Sequence, residues 1–130
     1  MTGAAPERSR VEIATSVEHA VQLMAGLGPD GAFLAGGTAL MRHPAPPATW
    51  VALHRLAALR QVTSGERHTW GAMLTHTGLA GLDLPPALRA LGTAARSSAF
   101  PQVRNVATLG GNVSARGFAE ADLLPALLVL

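Results

Sequence analysis

After a loose terminus over residues 1–9, the chain up to residue 35 holds a strand, a helix and a second strand, and the second strand runs straight into Gly36-Gly37-Thr38. That opening sets the fold class as α+β. Val11 to Ala14 reads as the first strand. Thr15-Ser16-Val17-Glu18 predicts a capping box, with Thr15 as N-cap and Glu18 three residues on. Val17, Ala20, Val21 and Met24 then recur at the spacing of an amphipathic helix. Gly26, Gly28 and Pro29 stop it. After the turn at Asp30-Gly31, Ala32 to Ala35 forms a short buried strand.

Beyond Thr38, Ala39 to Arg42 has room for one helical turn, and Pro44, Pro46 and Pro47 force an extended loop. Trp50 to Leu53 predicts a strand. Leu59 to Thr63 pairs with Arg67 to Ala72 across Ser64-Gly65-Glu66, with Glu66 and Arg67 at a solvated tip. Thr75 caps a short helix, and Pro85-Pro86 opens a clearer one with Leu88, Leu91 and Ala95 on one face. Phe100 to Asn112 carries a second Gly-Gly turn. Asp122 is placed to cap a last helix, Leu123 to Leu130. The chain stops in that apolar helix, which suggests a truncated protein or fragment.

Composition narrows the class. Of the 130 residues, 48% are hydrophobic and only 14% charged, which excludes intrinsic disorder. Aromatics are confined to Phe33, Trp50, Trp70, Phe100 and Phe118, so Ala, Leu and Val must build the core. The pI of about 11.0 is a weak signal for nucleic acid. The formal charge is only +2, no Lys or Tyr is present, and the arginines are scattered rather than clustered. Without cysteine there is no disulfide, thiolate metal site, Cys nucleophile or cluster ligation by this chain. The start lacks a signal-peptide core, and Leu123 to Leu130 is too short to span a bilayer. A cytoplasmic protein without membrane insertion is the expectation.

The two glycine turns are the candidate chemistry. Glycine permits positive φ and close approach to a ligand, and successive free amides in such a turn make an anion-binding nest. Ala35-Gly36-Gly37-Thr38 and Thr108-Leu109-Gly110-Gly111-Asn112, about 70 residues apart, could jointly grip a diphosphate. Either turn alone is read more simply as a tight turn and nothing more. Neither is a dinucleotide G-x-G-x-x-G or a P-loop, since the chain has no Lys to complete one.

AGGTALMR (35–42) and QVRNVATLGGN (102–112), with ADLLPALLVL (121–130) behind them, resemble the FAD-binding medium subunits of the molybdenum hydroxylases, the xanthine dehydrogenase and carbon monoxide dehydrogenase family. VALHRLAALRQV (51–62) and WGAML (70–74) are similar to the intervening family segments. The resemblance covers about residues 10–130 and implies a fold of the vanillyl-alcohol oxidase, or PCMH, type. In it, residues 10–53 form a small β-α-β subdomain and residues 54–130 a second α+β subdomain, incomplete at its C-terminus. It implies that Ala35, Gly36, Gly37, Thr38, Ala39 and Leu40 wrap the FAD diphosphate. Thr108, Leu109, Gly110, Gly111 and Asn112 would close on it, and Asp122 would bond a ribityl hydroxyl. It further implies an electron-transfer oxidoreductase component partnered by a molybdopterin-binding large subunit and an iron–sulfur small subunit. No residue is nominated as catalytic, and none as a metal ligand.

Departures from the family motif keep alternatives open. Ala39 stands where Asp is frequent, one extra residue separates Asn112 from Asp122, and the usual Pro before the acid is missing. A degenerate docking module without tight FAD binding, or a module for another nucleotide, fits the same glycines. His19, His43, His54, His68 and His76 show no metal-ligand spacing. His19 falls on the polar face of the first helix, and His43 in an exposed loop beside the first turn. Ser97 and Ser98 lack a nucleophile-elbow context. Trp50 and Trp70 belong to core strands, and Arg104 to carbonyls of its own loop.

Overall fold

A computed structural model describes residues 8–42, 45–117 and 120–130. Expectations for His43 and Phe118 lie outside them. The chain is mixed α and β, as its opening requires. Strand β1 (Arg10–Ile13), helix α1 (Val17–Leu27), β2 (Gly31–Leu34) and β3 (Thr49–Ala52) make an all-parallel sheet in the order β1-β3-β2. Val11 and Ala32 flank Trp50, and Ile13 and Leu34 flank Ala52. The central strand is buried throughout, and its residues Trp50-Val51-Ala52 form the continuous apolar run expected of a strand paired on both sides.

Helix α1 begins one residue later than the sequence predicts. Ser16, not Thr15, is the N-cap, and its Oγ accepts from the His19 amide at 3.0 Å. The Thr15 hydroxyl instead meets His19 Nδ1 at 3.0 Å. The amide of Glu18 and the Ser16 hydroxyl hold the Glu18 carboxyl below its ordinary value. The buried stripe is also rotated. Val17 and Val21 are exposed, and Ala20, Leu23, Met24 and Leu27 pack on Ala14, Val51 and Leu56. Both stripes obey helical spacing, so the choice between them is made by the sheet rather than by periodicity.

A hairpin, β4 (Val62–Thr63) with β5 (Thr69–Trp70), follows β3. Then come α2 (His76–Ala80), α3 (Arg89–Ser97), α4 (Pro101–Arg104), α5 (Leu109–Ser114) and α6 (Leu123–Leu128). They enclose a second core of Leu79, Leu91, Ala95, Leu109 and Leu123. Thr75 caps α2 as expected, accepting from the Gly78 amide. Arg104 also does what its position suggests, donating to the Arg96 and Ala99 carbonyls at 2.7 and 2.6 Å. Trp50 is buried in β3, and Trp70 lies against the second core.

The second glycine pair differs from its expected form. Gly110 and Gly111 lie in the first turn of α5, and neither has positive φ. Asp122 sits at the N-cap of α6 without a capping bond from its side chain; Asn112 Oδ1 accepts from the Leu123 amide at 3.2 Å instead. Asn112 comes from a different helix, a contact that local sequence rules do not register.

Candidate functional site

Strand β2 ends at Leu34, and the chain bends through Ala35–Ala39 into a single 3-10 turn, Leu40–Arg42. Gly37 supplies the positive φ of the bend, at 73°, and the Met41 amide closes it on the Gly37 carbonyl at 3.0 Å. Gly36 has a different task. A side chain there would fall on the Val106 carbonyl oxygen, with Ala107 Cα at 3.2 Å. The backbone of the first glycine segment therefore touches the backbone that leads into the second. Only glycine permits that approach.

The second segment is anchored from behind. The Leu109 and Gly110 amides donate to the Leu74 and Ala72 carbonyls, each at 2.8 Å, and the His76 amide donates to Ala107 at 2.9 Å. Gly111 donates to the Thr108 hydroxyl at 3.1 Å, and Asn112 to the Thr108 carbonyl at 2.9 Å. All four amides from Leu109 to Asn112 are thus engaged within the fold, and this turn is no open nest. Among the described residues, by contrast, the amides of Gly36, Gly37, Thr38 and Ala39 donate to no other group of the chain. The anion-binding capacity anticipated for two turns resides in the first.

A cleft of about 410 Å³ runs between the segments. Ala35 through Leu40 form one wall, and Thr108, Gly110 and Gly111 belong to the other. A second cavity of about 470 Å³ adjoins it through shared walls at Thr38, Ala39, Thr108 and Gly111. Asn112 lines this second cavity, Leu109 is buried in the core behind, and exposed Asp122 lines neither. Both volumes fall in the range of small-molecule sites.

Sequence reasoning did not assemble the second cavity. Arg42, His76, Ser98, Phe100 and Glu120 line it from four separate stretches of chain. His76 carries no signal in its own neighbourhood because its Nδ1 partner, the Ser98 hydroxyl at 2.7 Å, is 22 residues away. Among the described residues its buried Nε2 meets no hydrogen-bond partner. Burial pushes the ring below its ordinary pKa of 6.5, against smaller opposing effects of the Thr108 backbone and the Asp122 carboxylate.

The sign of the resulting pH dependence follows. The unfolded ring binds a proton near 6.5, and the folded ring only at lower pH. His76 therefore costs the fold nothing above that range and destabilises it as pH falls through the folded value. Urea midpoints are expected to drop from about pH 7 to about pH 5, and the drop should shrink in His76→Asn. Equal drops in both proteins would show that another group is responsible.

Known proteins share the chain's sequence and fold. Residues 7–130 match the family described as the FAD binding domain in molybdopterin dehydrogenase. The chain is 33% identical over 124 residues to the 6-hydroxypseudooxynicotine dehydrogenase complex subunit alpha of Paenarthrobacter nicotinovorans, covering 91% of this chain and 42% of that one. It is 37% identical over 116 residues to the xanthine dehydrogenase FAD-binding subunit of Escherichia coli O157:H7, covering 84% and 39%. Among solved structures, the reconstituted CO dehydrogenase from Oligotropha carboxidovorans superimposes with a TM-score of 0.76 at 31% identity, covering 85% of this chain and 41% of that one. The chain thus spans about two-fifths of the length of the relatives it matches.

Proposed function

This chain belongs to the family of FAD-binding domains of the molybdopterin dehydrogenases, and on that premise we propose that its first glycine segment holds the diphosphate of FAD. The observation that carries the reading is the run of uncommitted amides from Gly36 to Ala39, facing a cleft closed by the second glycine segment. Amide N–H groups and the Thr38 hydroxyl are suitable donors for a diphosphate. The residues present fit the group.

In this assignment the segments divide the work. Gly36, Gly37, Thr38 and Ala39 bind through the backbone, and Ala35 and Leu40 set the ends of the loop. Thr108, Gly110 and Gly111 form the opposing wall, with Leu109 behind it and Asn112 beside the adjoining cavity, and the amides from Leu109 to Asn112 hold its distance because they serve the fold. Asp122, exposed beside His76, is the acceptor assigned to a ribityl hydroxyl. The two apolar cores support a finer description, in which residues 10–53 and 54–130 are two subdomains of the vanillyl-alcohol oxidase, or PCMH, type.

When bound, FAD supplies the redox chemistry, and the protein supplies binding, orientation and electrostatics. The role assigned to the chain is that of the electron-transfer component of a molybdopterin-dependent dehydrogenase. Its partners in that role are a molybdopterin-binding large subunit and an iron–sulfur small subunit. The absence of cysteine here agrees with clusters ligated by another chain. Among the described residues no helix is long and apolar enough to cross a membrane.

Titration with FAD, followed by flavin fluorescence and visible absorbance, tests the reading. Saturable binding at about micromolar FAD is expected, with ADP a weaker competitor. A folded chain that binds no FAD would favour the degenerate docking module, the reading that Ala39 motivates. Preference for ADP over FAD would favour another nucleotide.

A further inference from the structure

We propose that Arg42 is the counter-ion of the FAD diphosphate and that Glu120 holds the guanidinium at the mouth of the site until the cofactor enters. This inference rests on the FAD assignment above and extends it to a residue outside the glycine motifs.

The distribution of charge around the two adjoining cavities carries it. Among the described residues, the walls of the cleft between the glycine segments carry no ionisable side chain. In the adjoining cavity the described walls hold Arg42, Glu120 and His76, and burial drives His76 toward its neutral form. Arg42 is therefore the single guanidinium lining either space among the described residues. A diphosphate brings about two negative charges, and a forked guanidinium is the side chain best matched to its oxygens.

Position supports the same assignment. Arg42 ends the 3-10 turn that follows the open amides, and its own amide donates to the Ala39 carbonyl at 3.2 Å. The turn thus carries the guanidinium on the same short unit as the proposed diphosphate donors. Its Nη1 donates to Glu120 Oε1 at 3.3 Å, which is long for a charge-assisted bond. The two side chains are 66% and 58% exposed. A pair so solvated is weak and exchanges its anion at little cost. A carboxylate oxygen offers the guanidinium the same kind of acceptor as a phosphate oxygen. Glu120 accordingly acts as an internal competitor for Arg42 rather than as a clasp over bound FAD.

The test compares the chain with its Arg42→Gln, Arg42→Lys and Glu120→Gln variants, each checked for an unchanged thermal unfolding curve. FAD and riboflavin, which lacks phosphate, are titrated by flavin fluorescence at low and high salt. Arg42→Gln should lose about tenfold in FAD affinity, show a flatter salt dependence and leave riboflavin binding unchanged. Arg42→Lys, which keeps the charge but not the fork, should fall between. Glu120→Gln should bind FAD at least as tightly as the parent. Parent-like FAD affinity in Arg42→Gln would overturn the inference while leaving the FAD assignment intact. So would a Glu120→Gln variant as weak as Arg42→Gln, since the pair would then be a structural clasp. A parent chain that binds no FAD would remove both.

Discussion

Replacing Gly36 with alanine is expected to abolish measurable FAD binding and to lower the unfolding midpoint, although the change adds one methyl group. The new Cβ would coincide with the Val106 carbonyl oxygen and press on Ala107 Cα at 3.2 Å. Both obstacles are backbone, so no side-chain rotation relieves them. The two segments must separate, and the cleft wall goes with them. The stability cost belongs at or above the upper end of the overpacking range, about 3 kcal/mol. Gly37→Ala provides the contrast. It strains a residue at φ 73°, by about 1–2 kcal/mol, but its Cβ meets the end of the Leu34 side chain at 3.2 Å, which can move. Urea unfolding and FAD titration of the two variants separate these effects. A Gly36→Ala protein with parental stability and affinity would contradict the close contact on which the site is built.

Leu79→Ala should carry a large loss in the second core, about 2–5 kcal/mol. Leu79 is fully buried and clusters with Leu91, Ala95, Leu109 and Leu123, which come from α3, α5 and α6. Its removal leaves a cavity beneath the helix that carries Gly110 and Gly111. The variant is expected to unfold at lower urea, and saturating FAD should raise its midpoint by mass action if the site survives. A loss below about 1 kcal/mol would mean that the helices repack around the gap. In the first core Leu56 is the comparable position, since the other buried members, Ala14, Ala20 and Val51, are smaller side chains with less to lose.

Local signals predicted much of this architecture. The strand-helix-strand opening, the Thr75 cap, the Arg104 loop anchor and the buried Trp50 strand were all legible from residue type and spacing. So was the convergence of the two glycine segments, through their resemblance to a family. What could not be read depends on contacts distant in sequence. The caps assigned to Thr15 and Asp122 were displaced by competing acceptors, Ser16 next door and Asn112 on another helix. The second Gly-Gly pair looked like a tight turn and lies in the first turn of a helix, its amides held by the Ala72 carbonyl and the Thr108 hydroxyl. Arg42, His76 and Glu120 meet around one cavity only after the chain folds.

These differences change the chemistry assigned to the motifs. Two similar Gly-Gly dipeptides support opposite roles. The first leaves its amides open, and the second uses its small residues so that α5 can pack against Ala72, whose Cβ would stand 2.8 Å from a Cβ at Gly110. Mutating either pair should weaken FAD binding and stability together, Gly36 through its approach to the Val106 carbonyl and Gly110 through its approach to Ala72.

Amide chemical shifts of the ¹⁵N-labelled chain, recorded as FAD is added, test the central claim most directly. Diphosphate bound by the first segment should shift the Gly36, Gly37, Thr38 and Ala39 amide protons strongly downfield, with smaller changes at Leu109 to Asn112. The reverse pattern, or shifts confined to residues outside both glycine segments, would contradict the assignment of the open amides as the diphosphate site.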